Sequence, residues 1–251
     1  MAEWVWEPDD FAALWYSDAN DRIPNLLRYT SRFAFQDEFD AHRVAVRQRY
    51  GEDELEQIQL AVHTLTTSDM RIEILGGTTK YKGSAGEQRV YRIVGARTLY
   101  HAAVLHQFTQ GDIEGRIRLR LCRSQDLPAR LTDTIPAREP GTQPPIIVHP
   151  ADLRDDRNTL RANEPAQRYH RLLEGPGDGG GSARLRIGAF NTDPATSNVV
   201  QWYDLPHGRY IETRAEHITV RPLTPTDLTT RFTTWIDRAL TRLREDEYQP
   251  W

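Results

Sequence analysis

An internal repeat of 19 residues is the sequence feature that most constrains the fold of this chain. Ile117–Ile135 aligns without a gap with Ile218–Ile236, which lies 101 residues later, and seven of the 19 pairs are identical. Average composition gives about one or two chance identities over such a length. Apolar character is also kept at non-identical positions, as in the pair Leu131 and Phe232. The repeat therefore predicts two related halves within one chain.

Each copy of the repeat has the pattern of a strand followed by a helix. In the first copy, residues 117–121 alternate apolar side chains with arginine, which is typical of a strand buried on one face. In the second copy, Thr224 and Asp227 have the spacing of a helix-capping pair, and an apolar stripe at helical spacing continues to Leu243.

Patterns elsewhere predict a similar order of elements in the two halves. One-sided apolar spacing predicts a helix over Asp53–Thr66, and alternation predicts a strand over Arg71–Leu75. A following pair of strands is expected to turn at Gly95–Arg97, because a short glycine-bearing segment separates them. In the second half, Gly175–Gly181 is expected to form a flexible loop and Ala183–Phe190 a strand.

These patterns together predict an α+β fold with two pseudo-symmetric halves. Each half is expected to contain a mostly antiparallel sheet with flanking helices, and the chain is expected to end in a C-terminal helix. The first half covers residues 1–136 and the second covers 151–251, within a single domain of 251 residues. Residues 137–150 are rich in proline, which continues neither a helix nor a central strand, and we expect them to connect the halves.

Composition narrows the class of protein. The 36 acidic and 32 basic residues give a formal charge of −4, which argues against binding to nucleic acid. The single cysteine, Cys122, excludes an internal disulfide and a cysteine-based zinc site, and it is consistent with a reducing compartment. The N-terminus lacks the pattern of a signal peptide, and no apolar run approaches the roughly 20 residues of a membrane helix. We expect a cytoplasmic protein.

Motifs that would indicate catalysis or cofactor binding are weak. Gly175, Gly177 and Gly180 match the spacing of a dinucleotide-binding loop, but the expected order of helix, loop and strand is wrong for that site. The eight histidines show no spacing typical of metal ligands. We therefore expect no enzyme activity and no catalytic, cofactor or metal site. An alternative stays open, a small-ligand module or enzyme with a pocket at the seam between the halves, where His101, His106 and Tyr210 would converge.

Rows of arginine on strand faces allow two interpretations. Arg116, Arg118 and Arg120 lie on one side of a strand in the first half. Arg184 and Arg186 form a similar row in the second half. Either row is a solvated sheet face whose long stems cover apolar surface, or it recognises a protein or an anion.

The second half carries a run that resembles the C-terminal signature of the EspG family, which is associated with ESX (type VII) secretion. Trp202-Tyr203-Asp204 is followed after three residues by Gly208-Arg209-Tyr210. His217-Ile218-Thr219-Val220 and Pro222 then precede the capped amphipathic helix. A fainter, collinear similarity extends from about Trp4 to Leu243.

This resemblance implies a cytosolic chaperone without enzyme activity. Family members bind the apolar tip of a helical PPE-type substrate within a PE–PPE heterodimer, keep it soluble and direct it to the matching secretion machine. The surface that they use is broadly the central sheet and the C-terminal helical part. From that surface and from strand positions expected to be exposed, we predict seven protein-binding residues: Arg97, Tyr100, Arg118, Trp202, Tyr203, Arg209 and Tyr210.

The sequence departs from the family in one connection. The segment after the second strand, which can be long in the family and contact the substrate, is expected here to be only Gly95–Arg97. We therefore expect a different or smaller helical secretion substrate. A structural homodimerisation module is a further alternative that the sequence leaves open.

Overall fold

The computed structural model describes residues 2–18, 20–80, 87–154, 164–188, 190, 194 and 196–247. The strands in these ranges are β1 (Ala2–Trp6), β2 (Met70–Thr78), β3 (Arg89–Arg97), β4 (His101–Gln110), β5 (Ile113–Arg123), β6 (Ile146–Val148), β7 (Gly179–Ile187), β8 (Thr196–Leu205), β9 (Gly208–Arg214) and β10 (Ile218–Pro222). The α-helices are α1 (Pro8–Trp15), α2 (Gln36–Arg47), α3 (Glu52–Thr66), α4 (Leu127–Thr134), α5 (Pro150–Arg154), α6 (Glu164–Leu173) and α7 (Pro225–Glu247).

All ten strands form one sheet in the order β1-β5-β4-β3-β2-β7-β8-β9-β10-β6. Every pairing between neighbouring strands is antiparallel. The halves meet where β2 pairs with β7, from Met70 opposite Ile187 to Thr78 opposite Gly179. The α+β fold with a large antiparallel sheet and a C-terminal helix is thus confirmed, although the sheets of the two halves join into one.

The two halves have the same strand order when each is followed outward from this junction. The first runs β2-β3-β4-β5-β1 and the second runs β7-β8-β9-β10-β6. Both copies of the 19-residue repeat fold as a strand followed by a helix, β5 with α4 and β10 with α7. Leu131 and Phe232, which the repeat aligns, are fully buried in the same apolar cluster. Pseudo-symmetry in space, and the domain bounds based on it, stay predictions.

Helices cover the two faces of the sheet differently. On one face, α4 and α7 pack over the central strands around Ile74, Ile93 and Trp202. We call the opposite side the open face. There, α1 and α3 cover the outer strands of the first half, and α6 covers the outer strands of the second half. None of the helices in the ranges above is both long enough and apolar enough to cross a membrane.

The predicted position of the first-half hairpin turn is wrong. Gly95–Arg97 lies within β3, and the turn to β4 is Thr98–Tyr100. A Cβ atom on Gly95 would lie 2.6 Å from the Leu131 side chain of α4. The glycine therefore serves the close packing of α4 on the sheet. The connection between β3 and β4 is three residues long, and the departure from the family expected at this connection stays a prediction.

The prediction of a flexible loop over Gly175–Gly181 is wrong in part, because β7 begins at Gly179. A Cβ atom on Gly181 would come within 2.6 Å of both the Tyr91 hydroxyl and the Trp202 ring. Gly180 has a φ of 152°, which other residues rarely adopt. Glycine here makes room for two aromatic rings under the sheet.

Candidate functional site

Four adjacent strands in the middle of the sheet direct side chains to the open face. Their register forms two rows of four residues across β3, β2, β7 and β8. The first row is Val94, Glu73, Arg184 and Val199, and the second row is Arg92, Leu75, Ser182 and Gln201. We call these eight residues the central open face.

The central open face combines exposed apolar and polar side chains, and Val94 is the one of its eight residues that is buried, within the apolar cluster of the first half. Val199 is 58% exposed and Leu75 is 43% exposed. Arg184 and Gln201 are exposed beside them. Among the described residues, the helices lie to either side of this face, over the outer strands. Apolar side chains that project from the middle of a sheet are typical of a surface that binds another protein.

A polar cleft of about 670 Å³ lies at one end of the central open face. Residues 21–26 form one of its walls, and Arg71, Glu73 and Arg186 form part of its floor. The Glu73 carboxylate accepts hydrogen bonds from Arg71 Nε at 2.7 Å and from Arg186 Nε at 2.9 Å. The Arg71 guanidinium also lies 5.4 Å from the ring centroid of Phe190. These contacts fix the charged side chains at the junction between the halves.

Formal charge on this part of the open face is opposite in sign to that of the whole chain. The charged open-face positions of β2, β3 and β7 are Arg71, Glu73, Arg92, Arg184 and Arg186, four basic residues and one acidic residue. The chain as a whole has a formal charge of −4. Burial, together with the nearby Arg28, lowers the pKa of Arg92. A concentration of positive charge in this position favours an acidic partner.

Three of the seven predicted contact residues lie in the protein interior. Trp202 is 1% exposed, Arg209 is 5% exposed and Tyr210 is not exposed. In this structure their side chains are packed inside the protein, and the binding role predicted for them stays a prediction. Aromatic and arginine side chains suggested an interface from sequence, but the same residue types also build cores and buried ion pairs.

Arg209 and Tyr210 anchor the connection between the halves. The Arg209 guanidinium donates to both Asp204 carboxylate oxygens, at 2.6 and 2.8 Å, and to the Pro136 carbonyl at 2.9 Å. The Tyr210 hydroxyl accepts a hydrogen bond from the backbone N–H of Gln143 at 2.9 Å. The motif that carries the family resemblance therefore holds residues of the proline-rich connection against β9.

The four other predicted contact residues do not lie together. Tyr100 is 73% exposed on the turn between β3 and β4, and Arg97 is half-buried at the end of β3. Arg118 lies on the face opposite the open face and forms an ion pair with Glu3. Tyr203 is half-buried on the open face of β8. Their binding roles stay predictions, and Tyr203 is the member of the set beside the central open face.

The two arginine rows have different environments. Arg116 forms an ion pair with Glu7, and Arg118 and Arg120 both pair with Glu3. Burial would raise the pKa of Glu3, but hydrogen bonds and charge from the two arginines outweigh it and lower that pKa. The first row is therefore matched by the carboxylate of Glu3 in β1 and by that of Glu7, which directly follows β1. The second row includes Arg184, which projects from the central open face.

The side chains proposed for a catalytic seam do not converge. His106 and His101 project from opposite faces of β4, and Tyr210 is buried in the cluster under α6. The cleft at the seam is instead lined by arginine and glutamate. Within the part of the chain that the structure describes, no group of three or more histidine, cysteine, aspartate or glutamate side chains could hold a metal ion.

The fold is similar to that of a solved chaperone. The chain has a TM-score of 0.55 and 13% sequence identity to EspG5, a type VII secretion system chaperone of Mycobacterium tuberculosis solved in complex with a PE25-PPE41 dimer. The match covers 91% of this chain and 94% of that chain.

Two further comparisons add little to this likeness. HtdX of Mycobacterium tuberculosis, at 11% identity, covers 88% of this chain and 99% of its own, but its TM-score of 0.21 supports no argument. A comparison with curated proteins gave no match. The model of the EspG family, in contrast, matches residues 7–233, which include every strand of the sheet except β1. This chain belongs to the EspG family.

Proposed function

We propose that this protein is a type VII secretion chaperone that binds a helical PE/PPE-type substrate on the central open face. The protein shields the apolar tip of the substrate, keeps it soluble and delivers it to an ESX secretion system. Family membership and the fold shared with EspG5 support this proposal. We place this activity in the cytoplasm and assign the protein no enzyme activity of its own.

The observation that carries the proposal is the exposed apolar surface in the middle of the sheet. Val199 and Leu75 project from β8 and β2, between the helices of the two halves. A helical tip placed there would bury these side chains, and it would lose its own exposed apolar surface at the same time. Burial of apolar area stabilises such a contact by about 25 cal/mol per Å² before the costs of association.

The polar cleft beside this surface is the feature that would favour a small-ligand module. Its Glu73 carboxylate already bridges Arg71 and Arg186, so the cleft is held by internal ion pairs. We therefore assign the cleft to the rim of a protein-binding surface. Assembly of the free chaperone into a homodimer stays a prediction, which light scattering of the purified protein measures.

Co-expression with PE/PPE pairs tests the proposed function. The wild-type chain should co-purify with its matching pair as a stoichiometric complex, and isothermal titration should give a saturable affinity. Val199→Asp should abolish or greatly weaken the complex, because a carboxylate would be buried against the apolar tip.

Ile147→Asp provides a matched control. Ile147 is 59% exposed, almost the same as Val199 at 58%, but it lies on the edge strand β6 and faces away from the open face. The control should bind like the wild-type chain. Failure of the wild-type chain to bind any PE/PPE pair encoded beside it would overturn the proposed function. Equal loss of binding in both variants would overturn the assignment to this face.

A further inference from the structure

We infer that the central open face selects a substrate tip that presents a carboxylate beside apolar side chains, and that Arg184 is the specificity-determining contact. This inference rests on the proposed function and adds the chemistry of the substrate. It concerns a residue outside the set of contact residues predicted from sequence.

The position of Arg184 places a cation between the polar cleft, which it helps to line, and the exposed apolar side chains of the central open face. In the sheet register, Arg184 of β7 lies between Glu73 of β2 and Val199 of β8. Its side chain is exposed, and within the described residues it forms no ion pair. Leu75 lies one row away on β2. A partner that covers Val199 and Leu75 therefore covers Arg184 as well.

Covering an arginine without a counter-charge is unfavourable. A guanidinium removed from water costs several kcal/mol unless hydrogen bonds and an opposite charge replace the solvent. Glu73, the nearest acid on the sheet, already accepts hydrogen bonds from Arg71 and Arg186. The substrate must therefore provide the acceptor for Arg184.

A carboxylate fits this requirement better than a neutral acceptor does. The guanidinium presents two parallel N–H groups that match the two oxygens of aspartate or glutamate. The other open-face charges of β2, β3 and β7 act in the same direction, because they are three arginines and one glutamate. A tip with a lysine or arginine in the same place would meet this positive charge and be rejected.

Three substitutions of this chain test the inference against the same purified PE/PPE pair. Arg184→Gln removes the charge and should weaken the complex by about tenfold or more, in line with a desolvated charged hydrogen bond. Arg184→Glu should weaken it further through repulsion. Arg116→Gln is the control, since Arg116 is exposed on the opposite face, where it pairs with Glu7. The control should leave the affinity within twofold of the wild-type value.

Substitutions in the partner complete the test. Replacing each aspartate or glutamate of the substrate tip by lysine should identify one position that abolishes binding to the wild-type chain and restores binding to Arg184→Glu. Thermal unfolding of each variant, which should match the wild type, separates loss of contact from loss of folding.

The outcomes distinguish this inference from the proposed function. If the wild-type complex forms and Arg184→Gln binds within twofold of it, the carboxylate inference is overturned and the chaperone function stands. If the tip contains no acidic residue whose replacement weakens binding, the inference is likewise overturned. If no wild-type complex forms with any PE/PPE pair, the proposed function and this inference both fail.

Discussion

Arg209 gives the sharpest test of whether the family-like motif is structural or contacts a partner. Arg209 and Asp204 are both buried, and their two hydrogen bonds are 2.6 and 2.8 Å long. Arg209→Met would remove both bonds and a third to the Pro136 carbonyl. It would also leave the Asp204 carboxylate buried without its counter-charge.

The expected loss of stability in Arg209→Met comes more from the unpaired, buried carboxylate of Asp204 than from the number of hydrogen bonds that are removed. Removing one partner of a buried ion pair typically destabilises a protein by about 3–5 kcal/mol. Replacing both partners by apolar residues is often nearly neutral, because no buried charge remains. The double variant Arg209→Met with Asp204→Leu should therefore be more stable than Arg209→Met alone.

Urea unfolding of the wild-type chain, the two single variants and the double variant measures this coupling as a double-mutant cycle. A loss below about 1 kcal/mol in Arg209→Met, or additive losses in the double variant, would refute the structural role. The same samples test binding. If Arg209→Met keeps wild-type stability but loses the PE/PPE complex, Arg209 is a contact residue, as the sequence predicted.

Two pH-dependent predictions follow from other parts of the fold. Burial, with repulsion from Arg118 and Arg120, lowers the pKa of His106 to about 4 from 6.5, so the unfolded chain binds an extra proton between these values. As the pH falls from 6.5 to about 4, the free energy of unfolding of the wild-type chain should decrease by roughly 3 kcal/mol, and that of His106→Gln should decrease less. Equal decreases in the two chains, measured by urea unfolding, would contradict this prediction. Burial would raise the pKa of Asp227, but hydrogen bonds from Thr224 outweigh it and lower that pKa. Asp227→Ala should lower the free energy of unfolding by about 1 kcal/mol at neutral pH, and the difference from the wild-type chain should disappear as the pH falls through the lowered pKa of Asp227. A difference in stability that persists in acid would show that the charge of Asp227 is not responsible.

Local pattern was enough to predict most of the elements. The alternation of apolar and charged residues in β5 predicts a strand buried on one face, and Ile117 and Leu119 are indeed fully buried. The capping pair Thr224 and Asp227 predicts the start of α7, where reciprocal hydrogen bonds of 2.7 and 3.0 Å are found. The residues that form such a signal lie close together in the sequence, so the signal can be recognised without knowledge of the tertiary structure.

The candidate site could not be predicted in the same way, because long-range pairing creates it. Leu75 and Arg184 become neighbours only because β2 pairs with β7, more than 100 residues later in the chain. Two glycines led to wrong predictions of a turn and a loop, because their role also depends on contacts between distant parts of the chain. Gly95 and Gly181 resembled turn or loop residues, but they accommodate Leu131 in one case and Tyr91 and Trp202 in the other. Burial separates the exposed Val199 from the core residue Trp202, although both lie in β8.

Among the described residues, helices cover the outer strands of the open face but not its middle, and the order of the elements in each half explains this difference. Each half places its own helices over its own outer strands on this face, with α1 and α3 in one half and α6 in the other. The helix at the end of each repeat goes to the opposite face, where α4 and α7 cover the junction between the halves together. A strand order that places β2 and β7 innermost therefore closes one side of the junction. On the other side it leaves Leu75, Arg184 and Val199 available. The strand order therefore accounts both for the continuous sheet and for the position of the surface on which we propose that a substrate binds, and it brings the charged residues of β2 and β7 together there.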